Sequence, residues 1–210
     1  MIQGEQYMFK AIKSSPLATF GACAVTMLLC ITVLTLLSAG TARADDKYKR
    51  SVERYQVPDV WLINQDGKKV NLKALTEQGQ PVVVDFIYGT CTTICPVLSA
   101  GFSSFQRKLG PQTGKVRLIS ITIDPEHDTP KVMKDYLSRY RARPGWDFLT
   151  GSRQDIDRVM KAFNAYIPDK MSHYPINLVR SPKDGSWLRL FGLLSSREFM
   201  QEYDLHVSGK

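Results

Sequence analysis

The stretch Pro81-Val-Val-Val-Asp-Phe-Ile-Tyr-Gly-Thr-Cys-Thr-Thr-Ile-Cys-Pro96 restricts the fold more than any other part of the chain. Residues 82–87 are apolar apart from Asp85 and rich in β-branched side chains, a pattern that suits a strand covered on both faces. Pro96, followed by Val97, Leu98, Phe102, Phe105 and Leu109 at helical spacing, reads as the opening of a helix. Cys91 and Cys95 therefore lie on a strand-to-helix turn. Four residues apart, they can turn both sulfurs to one side, near enough to share a metal ion or close a small disulfide.

The flanking segments supply the rest of an α/β layer structure. Val60 to Leu72 reads as a hairpin through Asp66-Gly67, with a short helical turn over 72–77. Val116 to Asp124 is a second β-branched strand, ending in Asp124-Pro-Glu-His-Asp-Thr-Pro130, and such strand ends are where α/β sheets place their chemistry. Thr129 caps a helix from Pro130, Gly145 to Leu149 reads as a short strand, and 155–165 reads as a helix. A second hairpin joins 173–180 to 187–191 through Ser181-Pro-Lys-Asp-Gly185, and a helix from Ser195 to about Tyr203 closes the chain. This order predicts a thioredoxin-like α/β sandwich with a central mixed sheet. The 210 residues, 43% of them hydrophobic, suffice for one core.

Before that domain, Lys10 and Lys13 precede an uncharged stretch from Ser14 to Thr41. Ala42-Arg-Ala44 has the small residues that signal peptidase requires, and the apolar stretch is also long enough to span a bilayer. Residues 1–44 are thus expected to be a signal peptide or membrane anchor, 45–53 a mobile tether and 54–210 the folded domain. The positive flank comes first, which places the remainder outside the cytoplasm, on the periplasmic side, secreted or anchored. A lipoprotein site at Cys23 fits poorly because of Phe20. Cys23 and Cys30 read as small apolar residues of this segment. The net charge of +8 is dispersed among acids without basic runs, which argues against nucleic-acid binding.

A lone thiol pair in an oxidising compartment is a staple, a redox couple or a metal site. A staple across so short a loop removes little unfolded-state entropy. Two thiolates and one imidazole are soft enough to suit copper. Three histidines are available. His206 lies in a polar tail and His127 among charges, and both read as exposed. His173 immediately precedes an apolar strand that a thioredoxin-type sheet would set beside the cysteines.

Cys91-x-x-x-Cys95-Pro96, Ser120-Ile-Thr-Ile-Asp124-Pro125-Glu126-x-Asp128-Thr129, and His173 with Pro182 and Gly185 after it occur in the order found in the Sco/SenC proteins. The chain resembles this family over roughly residues 54–205. The resemblance implies a thioredoxin-fold copper-delivery factor for cytochrome oxidase, with copper held by Cys91, Cys95 and His173 and with Asp124 as the acidic residue near the site. Its partner would be an oxidase subunit or another copper protein. Thr92-Thr93-Ile94 departs from the acid and proline that many relatives carry there, and the 181–185 turn is one residue longer than usual.

Two features also look like the thiol–disulfide oxidoreductases of the same fold, which defines the alternative reading: an enzyme acting on exported proteins, with Cys91 as attacking thiol. Asp85 stands where thioredoxin keeps a buried proton-transferring carboxylate, and is a candidate proton acceptor for the pair. It reads equally as an ordinary hydrogen-bonded residue less buried than its neighbours. Tyr174-Pro175 falls where such enzymes often have a cis bond. A thiol peroxidase is disfavoured, since no Pro-x-x-x-Thr-x-x-Cys element leads into either cysteine.

Overall fold

The structure, a computed structural model, describes residues 47–209. The expected signal or anchor at 1–44 lies outside the described residues. Among those described, no helix is long and apolar enough to cross a membrane.

Eight strands form one mixed sheet: β1 (Tyr48–Glu53), β2 (Trp61–Asn64), β3 (Lys69–Asn71), β4 (Val82–Ile87), β5 (Arg117–Thr122), β6 (Trp146–Thr150), β7 (Ile176–Arg180) and β8 (Trp187–Gly192). Their spatial order is β1-β8-β7-β4-β5-β6-β2-β3. The parallel pairs β4–β5 and β5–β6 occupy the middle, and every other pairing is antiparallel. All six residues of β4 are buried, as its unbroken apolar pattern requires of a strand covered on both faces.

The helices are α1 (Leu72–Thr76), α2 (Cys95–Leu109), α3 (Pro130–Arg139), α4 (Arg153–Ala162) and α5 (Ser196–Val207). On one face, Phe102 of α2 meets Trp146 with ring centroids 5.5 Å apart, Phe105 meets Phe199 of α5 at 5.1 Å, and Tyr136 of α3 meets Phe148 at 5.5 Å. On the other, Phe163 at the end of α4 packs on Phe86 and Trp187. Such edge-on and tilted aromatic pairs add to the burial of large apolar side chains. Helix starts follow local rules: Thr129, Ser152 and Ser195 accept hydrogen bonds from backbone amides of the first turns of α3, α4 and α5, and Glu198 completes a capping box with Ser195.

Three expectations need correction. Residues 48–53, expected as a mobile tether, form β1, paired with β8 from Tyr48–Gly192 to Glu53–Trp187. Glu202 of α5 fixes this charged edge strand, accepting from Tyr48 Oη at 2.7 Å and pairing with Arg50 at 3.0 Å. The Tyr174-Pro175 bond is trans, for no cis peptide occurs among the described residues. Pro175 runs straight into β7, and its carbonyl accepts from the Gly192 amide at 3.0 Å. His206, expected in an exposed tail, lies in the last turn of α5, half-buried, with Nε2 3.3 Å from the Ser186 carbonyl.

Candidate metal centre

β4 delivers Tyr88 and Gly89 to the turn, and Cys95 is the first residue of α2. The start of the turn is clamped from β5. The fully buried Asp128 accepts from the Gly89 amide at 3.0 and 3.1 Å and from Thr122 Oγ1 at 2.5 Å. The approach is too close for any side chain at position 89: an added Cβ would stand 2.7 Å from the Asp128 carboxylate. Pro96, the second residue of α2, sits in its first turn, where a missing amide costs nothing.

Both cysteines carry free thiols, and their surroundings differ. Burial raises the Cys91 thiol, but hydrogen bonds from the Cys95 thiol and amide and from the Thr93 hydroxyl and amide outweigh it, bringing the pKa down to about 7. The Thr93 Oγ1 lies 3.6 Å from the Cys91 sulfur. Cys95 is wholly buried, and its pKa is pushed up, first by burial and then by the Cys91 thiol.

His173 comes to the same place from the other side. A 3-10 turn, Lys170–Ser172, capped by the Asp169 carboxylate, ends on it, and its Nδ1 stands 3.8 Å from the Cys95 sulfur. Burial lowers its pKa to about 4, against a small opposing pull from the Phe86 backbone. The ring is therefore neutral at physiological pH, the form in which imidazole binds metals. Its Nε2 is buried without a hydrogen-bond partner. Tyr88 stacks edge-on against the ring with centroids 6.3 Å apart. The donor set of two sulfurs and a neutral imidazole fits a soft ion. Among the described residues, no three His, Cys, Asp or Glu side chains converge into a finished metal cage. The contact made is Cys95 to His173, while Cys91 is turned to Thr93.

Asp124 touches neither thiol nor His173. Its Oδ2 accepts from Lys170 Nζ at 2.6 Å and its Oδ1 lies 2.9 Å from His127 Nδ1. Burial raises its pKa, but Lys170 and His127 overcome this and keep it below the usual carboxylate range. Through Lys170, the carboxylate ties the end of β5 to the turn that presents His173. His127 is itself exposed, as expected.

Asp85 is fully buried, and burial pushes its pKa up to about 7, against weaker hydrogen-bonding influences led by Ser120. Both carboxylate oxygens lack a partner within hydrogen-bond distance, although Ser120 stands beside it in the sheet register. The Ser120 oxygen instead accepts from Trp146 Nε1 at 3.0 Å. The reading of Asp85 as an ordinary hydrogen-bonded residue less buried than its neighbours therefore fails on both counts.

Sequence reading did not single out Thr93, Tyr88, Lys170 or the clamping role of Asp128. The hydroxyl two residues after Cys91 was a local signal for Thr93, whereas the Lys170–Asp124 pair spans 46 positions and has no local mark.

Comparison with known proteins follows the same outline. The family model SCO1/SenC matches residues 51–184. The SCO1 protein homolog of Bacillus subtilis is 40% identical over 116 residues, covering 54% of this chain and 59% of that protein. The matches to the first curated relatives thus span between half and three-fifths of their length. BsSco, described as a member of the Sco family of cytochrome c oxidase assembly proteins with a disulfide switch, superposes with a TM-score of 0.63 at 31% identity, over 76% of this chain and 98% of its own. ScoI of Bradyrhizobium japonicum with copper bound gives 0.59 at 28% identity, over 74% of this chain and all of its own. With the thioredoxin-like sheet, the cysteine turn and the matched span in agreement, this chain belongs to the SCO1/SenC family.

Proposed function

We propose that this chain is an exported copper-binding protein that delivers copper to cytochrome oxidase or another copper protein, with the dithiol gating the transfer. The observation that carries this reading is the 3.8 Å approach of His173 Nδ1 to the Cys95 sulfur, made by a neutral imidazole on a turn pinned from β5. Rotation of the Cys91 side chain away from Thr93 completes a set of Cys91, Cys95 and His173. Copper binding by a relative of the same fold supports this assignment. Only the reduced pair can bind, because a disulfide has no thiolate to offer. Oxidation by a partner would therefore release the ion. Residues 1–44 act as the export signal or membrane anchor, 54–210 are the working domain, and the site faces the periplasmic side.

A second reading, thiol–disulfide exchange on exported proteins, is favoured by one observation: Asp85 is buried with its pKa near 7 and acts electrostatically on Cys95. Such a carboxyl is a competent proton acceptor near neutral pH.

Titration of the reduced protein with copper separates the two. Delivery requires one ion per chain, with sulfur-to-copper charge-transfer absorption that disappears in His173→Ala. If His173→Ala binds copper as the wild type does and only thiol exchange depends on the pair, the oxidoreductase reading replaces it.

A further inference from the structure

Met171 is 75% exposed, the most solvent-accessible large apolar side chain among the described residues. It stands two positions before His173, in the 3-10 turn Lys170–Ser172. That turn is fixed. The Met171 amide donates to Asp169 Oδ1 at 2.9 Å, the Ser172 amide to the Asp169 carbonyl at 3.0 Å, and the His173 amide to the Lys170 carbonyl at 3.2 Å. Lys170 Nζ, held 2.6 Å from Asp124, lies over the Tyr88 ring at 5.5 Å.

The thioether points back to the site. Tyr88 Oη donates to Met171 Sδ at 3.9 Å, and the carbonyl of the same residue accepts from the Cys91 amide at 3.2 Å. Met171 and Cys91 are therefore both held against Tyr88, one at its hydroxyl and the other at its backbone. Tyr88 is itself buried and lies edge-on to His173. One buried tyrosine thus has around it an exposed thioether, the more reactive thiol and the imidazole.

A thioether is a soft, uncharged ligand that favours Cu(I) over harder ions and over Cu(II). Its charge does not change with pH, and it binds more weakly than a thiolate, which suits a ligand that must let go.

We propose that Met171 is the sulfur through which Cu(I) enters and leaves the site formed by Cys91, Cys95 and His173. This rests on the copper reading above and adds a route to it. On entry the copper–thioether bond breaks as the copper–thiolate bond to Cys91 forms, and any proton on that thiol passes to solvent. Copper remains Cu(I) throughout. On exit the same exchange runs in reverse, so that Met171 holds the ion on the exposed side where an acceptor's ligands can reach it.

The test is Met171→Leu, which keeps the size and apolar character of the side chain and removes the sulfur. Wild type and variant are loaded with Cu(I), and the ion is extracted with excess bathocuproine disulfonate while the copper-to-protein ratio is followed. The expected result is one copper per chain in both, extraction slowed about tenfold in Met171→Leu, the lower end of what altering a group beside metal ligands costs, and an unchanged rate of loading by Cu(II). Equal extraction rates overturn the proposal, and so does equal slowing for both oxidation states, which marks a structural role. Loss of the one-to-one ratio in the variant also overturns it, since Met171 would then be a resident ligand. A wild type that binds no copper removes the copper reading itself, an outcome distinct from a copper-loaded wild type matched by its variant.

Discussion

Cys91 and Cys95 lie four residues apart on one turn, yet they occupy opposite environments. Cys91 is bathed in donors: the Cys95 thiol and amide and the Thr93 hydroxyl and amide all act on it, and against its burial they bring its pKa down to about 7. Cys95 sits beneath the helix start, wholly buried, with His173 beside it and the partnerless carboxylate of Asp85 acting on it, and its pKa rises. The difference comes from position in the turn. A loop residue just before a helix collects orphan amides, whereas the first helical residue is turned inward against the sheet. One sulfur is thus ready as a thiolate, while the other keeps its proton until something displaces it.

The contrast can be broken most sharply by alkylation. At pH 7.5 the reduced protein should lose Cys91 to iodoacetamide at least about 100-fold faster than Cys95, since reactivity follows thiolate fraction and access. Peptide mapping after brief exposure would show it. Equal labelling of the two would erase the distinction.

The buried side of the turn makes its own prediction. A carboxyl whose folded pKa is raised favours folding at low pH, and this contribution fades as pH rises from about 4 through about 7. Between pH 5 and pH 8 Asp85 should therefore cost about 3 kcal/mol of stability, following the rule of 1.36 kcal/mol per pKa unit. Urea unfolding of Asp85→Asn at both pH values should show that this part of the pH dependence has gone. A slope unchanged from wild type would mean that the carboxyl titrates normally.

On the outer side, Lys170→Met leaves Asp124 with only His127 and frees the turn that carries His173. Copper affinity measured by competition should fall about tenfold, as is typical when a group orienting a metal ligand is lost. A smaller effect is expected at Thr93. Thr93→Val removes one of several donors to Cys91, so alkylation of that thiol at pH 7 should slow about twofold, through a modest rise in its pKa.

Much of this arrangement is legible in the sequence because it is locally encoded. The buried β4, the hairpins through Gly67 and Gly185, and the caps at Thr129 and Ser195 follow from period and turn chemistry within a few residues. The approach of His173 to the thiols follows from the order of strands in the fold to which the motifs point. Nothing in Tyr48 to Glu53 announces a strand, because its outward residues are charged and its pairing with β8 spans the whole domain. The trans bond before Pro175 depends on how β7 meets Gly192, and the Lys170–Asp124 pair on two distant loops. Cys91 could be named as the attacking thiol from its place in the turn, but the cause of its difference from Cys95 could not be read there: spacing says where the sulfurs are, and only packing says what surrounds them.

The most direct measurement is X-ray absorption at the copper edge of the reduced, copper-loaded protein. Two sulfur scatterers and one imidazole nitrogen per copper are expected, with the imidazole lost in His173→Ala. A first shell of oxygen and nitrogen alone, or one unchanged by removing His173, would contradict a copper centre built on these three side chains.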